Sequence, residues 1–242
     1  MSDTQTLIDL KQVSFFYPEG PKVIKDLDLQ VKTGDKIGLV APNGSGKTTL
    51  FHLIMGLLKP SAGRIKLFGK SMRTEKDFAG LRHKIGLLFQ DSDDQLFSPT
   101  VIEDVAFGPL NMGQSKSEAL ERSRKTLAQL GLEGFENRIT FKLSGGEKRL
   151  VALATILVME PKVLLLDEPT AGLDQKTKTR LQSLLSKLDL ASIVISHEFD
   201  FLTSVTDRIH NMEHGRIRTD EALHIHVHRH AHKIGRQPHR HV

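Results

Sequence analysis

Phosphate chemistry is written most plainly in Ala41-Pro42-Asn43-Gly44-Ser45-Gly46-Lys47-Thr48, between the apolar run Lys36–Val40 and the apolar run Thr49–Met55. A glycine-rich loop between a strand and a helix lets successive backbone N–H groups turn inward around anionic oxygens. The lysine adds a full positive charge, and the hydroxyl after it suits a hard divalent cation. Lys47 is therefore expected at the β- and γ-phosphates of a nucleotide and Thr48 at Mg²⁺, with Asn43, Gly44, Ser45, Gly46 and Thr49 completing the cradle. Ala41 stands where such loops usually carry their first glycine. A positive φ there would cost alanine about 1 kcal/mol, whereas a strand end costs it nothing, and the second reading fits the preceding strand.

A pair of carboxylates forms the second constellation, at the end of Val163-Leu164-Leu165-Leu166-Asp167-Glu168. Two adjacent acids at the end of a buried strand are unfavourable unless a cation or a reaction uses them. Strand alternation predicts that they diverge, Asp167 toward Mg²⁺ and Glu168 toward a water attacking the γ-phosphate. His197 follows the apolar run Ala191–Ile195, and Gln90 follows Ile85–Phe89. Polar side chains at the carboxyl ends of strands in open α/β sheets face the crevice where ligands bind, so the Gln90 amide oxygen can reach Mg²⁺ or the attacking water. Ser144, Gly145 and Gly146 open a helix with a hydroxyl and bare N–H groups, a further anion-binding surface. Tyr17, the only tyrosine, precedes the cradle in a Pro- and Gly-containing turn and offers a flat face to an adenine ring.

These residues need a sheet whose strand ends share an edge. Leu7–Phe16 and the alternating Leu27–Lys32 predict antiparallel strands, and Arg64–Gly69 a further strand ending in a turn. From Asp91 to Gly113 the chain reads as loop, because Pro99, Gly108, Pro109 and Gly113 interrupt short apolar pieces. Ser115 with Glu118 predicts a capping box for a helix carrying Leu120, Leu127 and Leu130 and stopped by Gly131. A second helix is expected over Lys148–Met159, ended by Pro161. The fold class that follows is α/β, a P-loop NTPase core with a mainly parallel sheet, an antiparallel β-subdomain, and a helical subdomain inserted at about residues 91–160.

Bulk properties narrow the setting. Within 242 residues there is no cysteine, which excludes a disulfide framework or a thiolate site and fits a cytosolic protein. No apolar run approaches the roughly 20 residues that span a bilayer, and the polar start Met1–Thr6 predicts no signal peptide, so any membrane role is expected to run through a partner. The 34 Lys and Arg against 29 Asp and Glu give a net charge of +5, but they are dispersed with no aromatic-interleaved strip, and no nucleic-acid partner is expected.

Taken in order, the motifs resemble the nucleotide-binding domain of ABC transporters over about Leu7 to Ile217. Tyr17 matches the aromatic A-loop, Ala41–Thr48 the Walker A loop, Gln90 the Q-loop, and Leu143–Glu147 the LSGGQ signature with Glu in place of Gln. Val163–Asp167 match Walker B, Glu168 the catalytic carboxylate, Asp174 the D-loop and His197 the switch histidine. The resemblance implies an ATP hydrolase using Mg²⁺, spanning residues 1–217, in which two cassettes pack head to tail. Ser144, Gly145 and Gly146 of one copy would then close over ATP held by the other.

The run Phe89–Pro109, with Asp93-Asp94-Gln95-Leu96-Phe97-Ser98-Pro99-Thr100 at its centre, is similar to the ATPases of energy-coupling factor importers, especially the cobalt and nickel type. That likeness implies a homodimer or a pair with a related ATPase chain, transmembrane scaffold and substrate-binding components as partners, and a peripheral place on the cytoplasmic face of the cell membrane. A vitamin-type importer is the nearest alternative and a soluble ABC ATPase a more distant one.

Residues 218–242 form a histidine-rich tail in which His224, His226, His228, His230 and His232 alternate with other residues. An extended chain would set these five imidazoles on one face, and imidazole suits Ni²⁺ and Co²⁺. On an ATPase such a tail is expected to buffer or sense an ion. Deleting residues 224–242 should weaken Ni²⁺ or Co²⁺ binding in calorimetry and leave ATP hydrolysis intact; unchanged metal binding would refute the assignment.

Overall fold

Alternating burial near the N-terminus folds into antiparallel pairs. The computed structural model describes residues 5–218. In it β1 (Thr6–Phe16) pairs with β2 (Lys22–Lys32) and, on its other edge, with β4 (Ala62–Leu67), which pairs with β5 (Lys70–Met72). β2 begins earlier than Leu27. Its first half hides from the alternation because Asp26 adopts a φ of 47° and the pairing register shifts nearby. Ser14 holds that irregularity, its hydroxyl donating to Asp26 Oδ1 and accepting from the Asp26 N–H, both at 2.9 Å.

β3 (Lys36–Val40) leaves this layer and runs through the cradle into α1 (Lys47–Ile54). After the short α2 (Glu75–Ala79) come β6 (Ile85–Leu88), α3 (Val101–Asn111), α4 (Lys116–Gln129) and α5 (Gly145–Leu157). The chain then returns through β7 (Val163–Asp167), α6 (Gln175–Lys187), β8 (Ala191–Ile195), α7 (Phe199–Val205), β9 (Arg208–Glu213) and β10 (Arg216–Arg218). The second sheet has the order β10-β9-β3-β8-β7-β6, parallel throughout except for β10 against β9. The fold is therefore α/β, a mainly parallel sheet with an antiparallel sheet beside it.

Strand alternation divides the core in two. Val163 and Leu165 of β7 face the side occupied by Leu50, Phe51 and Ile54 of α1, while Leu164 and Leu166 face Leu150, Leu153 and Ala154 of α5. A strand buried on both faces must read as an unbroken apolar run, and Val163–Leu166 does.

Two sequence expectations give way here. Residues 91–113 are not all loop, because α3 occupies Val101–Asn111. Its start is a capping box in which the Thr100 N–H and hydroxyl both donate to Glu103 Oε2, at 3.0 and 2.7 Å. Pro109 lies within the last turn, and Gly108 is a contact point rather than a breaker: a Cβ there would meet Met159 Sδ at 2.4 Å. α5 also starts at Gly145 rather than Lys148 and ends at Leu157 rather than Met159, because Ser144 is its N-cap.

Close packing of β6 on α5 rests on Gly86, where a Cβ would sit 2.0 Å from Ile156 Cγ2 and 3.0 Å from Leu164 Cδ2. Gly86→Val should lower stability by about 1–3 kcal/mol through overpacking. Gly80→Ala, where nothing among the described residues lies within 4 Å, should leave the denaturant midpoint nearly unmoved.

Candidate functional site

Parallel pairing of β3, β8, β7 and β6 sets four strand ends along one edge, and every motif residue that follows such an end arrives there. The cradle loop leaves β3 through Ala41, which is buried with no positive φ, so the alanine carries no backbone penalty. Gly44 and Gly46 do need glycine, with φ of 75° and 99°. Gly46 has a second reason, since a Cβ would come within 2.8 Å of Ile24 Cδ1. It caps α1, whose first two residues are Lys47 and Thr48.

Lys47 is buried, and its ammonium donates to the Ala41 carbonyl at 3.1 Å. The same Nζ lies 3.4 Å from Glu168 Oε1 and 2.9 Å from His197 Nε2. An ammonium has donors only, so Nε2 accepts and the ring proton belongs on Nδ1. The 3.2 Å approach of His197 to Glu168 is then a packing contact rather than an ion pair. The His197 backbone N–H also approaches Glu168 Oε2, at 3.3 Å.

The two carboxylates do not separate by strand alternation. Glu168 lies one residue past β7 with a φ of 45°, its N–H held by the Ile195 carbonyl at 2.9 Å. That left-handed turn brings both acids to the cradle. Asp167 Oδ2 accepts from the Thr48 hydroxyl at 2.8 Å, while Glu168 meets Lys47. Burial raises the Asp167 pKa, opposed by the Thr48 hydrogen bond and the Lys47 charge.

Asp167 Oδ1 and Ser45 Oγ are buried without a hydrogen-bond partner among the described residues. A desolvated carboxylate oxygen beside a hydroxyl is the donor set of a hard cation, and a free hydroxyl inside the cradle suits a phosphate oxygen. The residues present thus fit Mg²⁺ and a polyphosphate.

A cavity of about 900 Å³ opens beside Thr48 and Asp167 and is lined also by Gln90, Asp91, Gly145 and Arg149. His52, one helical turn after Thr48, joins it. Neither His52 nor Arg149 is expected in the site from the sequence; their only signal there is position, four residues after Thr48 and five residues after Ser144. Tyr17 is 43 % exposed, with its hydroxyl 3.1 Å from Thr49 Oγ1 and its ring edge-on to Phe15 at 4.9 Å.

Two motif residues stand apart from the cradle. Ser144 bonds through its side chain to Glu147, donating to Oε2 at 2.9 Å and accepting from the Glu147 N–H at 3.4 Å. Glu147 is paired in turn with Arg138 at 2.7 Å, and its pKa is lowered first by the Ser144 N–H. Asp174 is the N-cap of α6, accepting from the Thr177 N–H at 3.0 Å. The tail residues His224, His226, His228, His230 and His232 lie outside the described residues. Among the described residues no group of three or more His, Asp or Glu is placed to hold a metal ion.

The family description "ABC transporter" matches residues 24–171. The chain belongs to the ABC transporter family. It is an ABC ATPase by the same match and by its relatives. A putative ABC transporter ATP-binding protein of Nitratidesulfovibrio vulgaris is 46 % identical over 244 residues, covering 100 % of this chain and 89 % of that protein. The energy-coupling factor transporter ATP-binding protein EcfA of Methanocaldococcus jannaschii is 42 % identical over 215 residues, 87 % of this chain and 77 % of that one.

Among solved structures, cbiO1 from Clostridium perfringens, described as part of the ABC transporter complex cbiONQ, superposes with a TM-score of 0.79 at 37 % identity, covering 88 % of this chain and 87 % of that one. A dimeric post-hydrolysis state of the ATP-binding cassette MJ0796, bound to ADP and Pi, gives 0.80 at 28 % identity, over 90 % and 99 %.

The buried Asp167 charge should make this ABC ATPase less stable than it could be. Its raised pKa means that the folded chain takes up this proton more readily than the unfolded chain, so stability is lost as pH rises through the raised value. Asp167→Asn should therefore raise the melting temperature by about 2–4 °C at neutral pH, with the gain fading in acid, while ATP hydrolysis collapses. Scanning calorimetry across pH checks the sign.

Proposed function

We propose that this ABC ATPase drives an energy-coupling factor importer for cobalt or nickel ions, working as a head-to-tail pair beneath transmembrane scaffold and substrate-binding components. The observation that carries the hydrolytic half is the meeting of Lys47, Thr48, Asp167, Glu168 and His197 at one sheet edge. The importer half is supported by the Asp93–Thr100 run and by the likeness to cbiO1, a component of a transporter complex.

In the proposed cycle ATP enters with its adenine on Tyr17 and its phosphates among the amides of Asn43, Gly44, Ser45, Gly46, Lys47, Thr48 and Thr49. The triphosphate competes with Glu168 for the Lys47 ammonium. Glu168, released from that pairing, orients a water and accepts its proton as the water attacks the γ-phosphorus in line and the bond to the β–γ bridging oxygen breaks, releasing ADP and phosphate. His197 holds the γ-phosphate, and Lys47 takes up charge that develops on the phosphate oxygens. Thr48, Asp167 and Gln90 would hold Mg²⁺, which when bound neutralises phosphate charge. Ser144, Gly145 and Gly146 of the second copy close the site, with Asp174 at the joint.

A surface suited to such a scaffold runs from Phe97 into α3. Phe97 and Phe107 are 66 % and 48 % exposed and meet edge to face at 4.8 Å, with exposed Leu110 and Met112 on the same helical segment. An apolar coupling helix suits this surface. No helix among the described residues is long and apolar enough to cross a membrane. The tail 218–242, with its five alternating histidines, would buffer the transported ion.

Cells carrying this chain with its membrane components should accumulate cobalt or nickel, measured in competition. Glu168→Gln should abolish that uptake while the purified variant still binds ATP and accumulates as a closed dimer, and Lys47→Ala should lose ATP affinity itself. Uptake of neither ion with active ATP hydrolysis would refute the substrate, and wild-type turnover in Glu168→Gln would refute the catalytic role.

A further inference from the structure

A guanidinium buried between the cradle and the helical segment takes no part in the chemistry described so far. Arg149, the fifth residue of α5, is only 4 % exposed and forms no ion pair among the described residues. Burial lowers its pKa, opposed by the charges of Asp91 and Asp167. A buried cation without a carboxylate partner is unfavourable, so the hydrogen bonds that hold it must be good ones. Two are present, Nη1 donating to the Phe89 carbonyl at 2.5 Å and Nη2 to the Gln90 carbonyl at 2.6 Å, while Nε is buried with no partner among the described residues.

Those two carbonyls belong to the peptide units on either side of the Gln90 Cα. In a strand, consecutive carbonyls point opposite ways, so one planar fork can take both only where the chain has left extended geometry. Fixing both peptide planes fixes the direction in which the Gln90 side chain departs, into the cavity shared with Thr48 and Asp167. Lysine, a point donor, cannot hold both planes. The neighbouring contacts act in the same sense. Lys148 pairs with Asp93 at 2.5 Å, and Gln95 donates to the Ala152 carbonyl at 2.9 Å and the Thr155 hydroxyl at 3.0 Å. The segment 89–95 is thus bound to α5 along two turns, and α5 begins at its N-cap Ser144.

We propose that Arg149 is a positioning residue that sets Gln90 for hydrolysis and makes it move as one body with Ser144. This rests on the head-to-tail reading, in which Gln90 serves the chain's own ATP and Ser144 serves the partner's. Arg149 then links occupancy of one site to presentation of the serine at the other.

The test is a double-mutant cycle in ATP hydrolysis by the purified full chain. Arg149→Gln should lower kcat by about tenfold or more with the KM for ATP within about threefold, and adding Gln90→Ala should cost no more than about twofold further. Cooperativity in ATP should fall toward a Hill coefficient of about 1. Arg149→Lys, which keeps the charge and nearly the volume, guards against a folding defect and should recover less than half of the lost kcat. Multiplicative losses in the cycle, or full rescue by lysine, would overturn the positioning role. A wild-type enzyme that hydrolyses ATP without cooperativity as a monomer would overturn the head-to-tail reading instead and leave the Gln90 cycle to be read alone.

Discussion

The hydrogen bonds that lay β3 beside β8 and β8 beside β7 in parallel are the constraint on which the rest depends. Leu39 is opposite Ile195, and Asp167 is opposite the same residue on its other side, so three strand ends finish level. A slip of one residue in either pairing would exchange the side chains that face the two halves of the core and carry Asp167 or His197 away from Lys47. Register here is held by burial on both faces, since Leu165, Ile193 and Leu39 are all fully enclosed. Catalytic geometry at this edge is therefore inherited from apolar packing well below it.

On that platform the site divides its labour by backbone rather than by residue type. Asp167 is the last residue of a strand and Glu168 the first residue after it, with a left-handed φ that a non-glycine residue adopts at some cost. The strain is balanced by a ladder-like bond from its N–H to Ile195 and by burial of its side chain. One carboxylate is thereby given to the Thr48 hydroxyl, the other to the Lys47 ammonium.

Much of this was readable in the sequence because each motif contains both the element that positions it and the group that acts. Val163–Leu166 announces a strand buried on both faces and hands over Asp167 within one residue; the cradle likewise carries its own strand and helix. What was hidden depends on distant partners or unusual torsions. Gly108 and Pro109 read as breakers because nothing local says that Met159, some fifty residues on, needs the space. Alternation missed the turn by which Glu168 reaches the cradle, because a positive φ has no signature in a glutamate. Arg149 passed unnoticed because its acceptors are backbone carbonyls about 60 residues earlier.

The capping of α5 and α6 bears on how long two cassettes stay together. In the proposed dimer the Ser144 hydroxyl and the Asp174 carboxylate face another molecule, yet each already closes the N-terminus of its own helix. Giving up such a cap costs about 0.5–2 kcal/mol, and a symmetric pair would do so twice for each kind. Association would carry a fixed internal penalty that only bound triphosphate offsets. In that dimer, loss of phosphate would let the caps reform and favour separation.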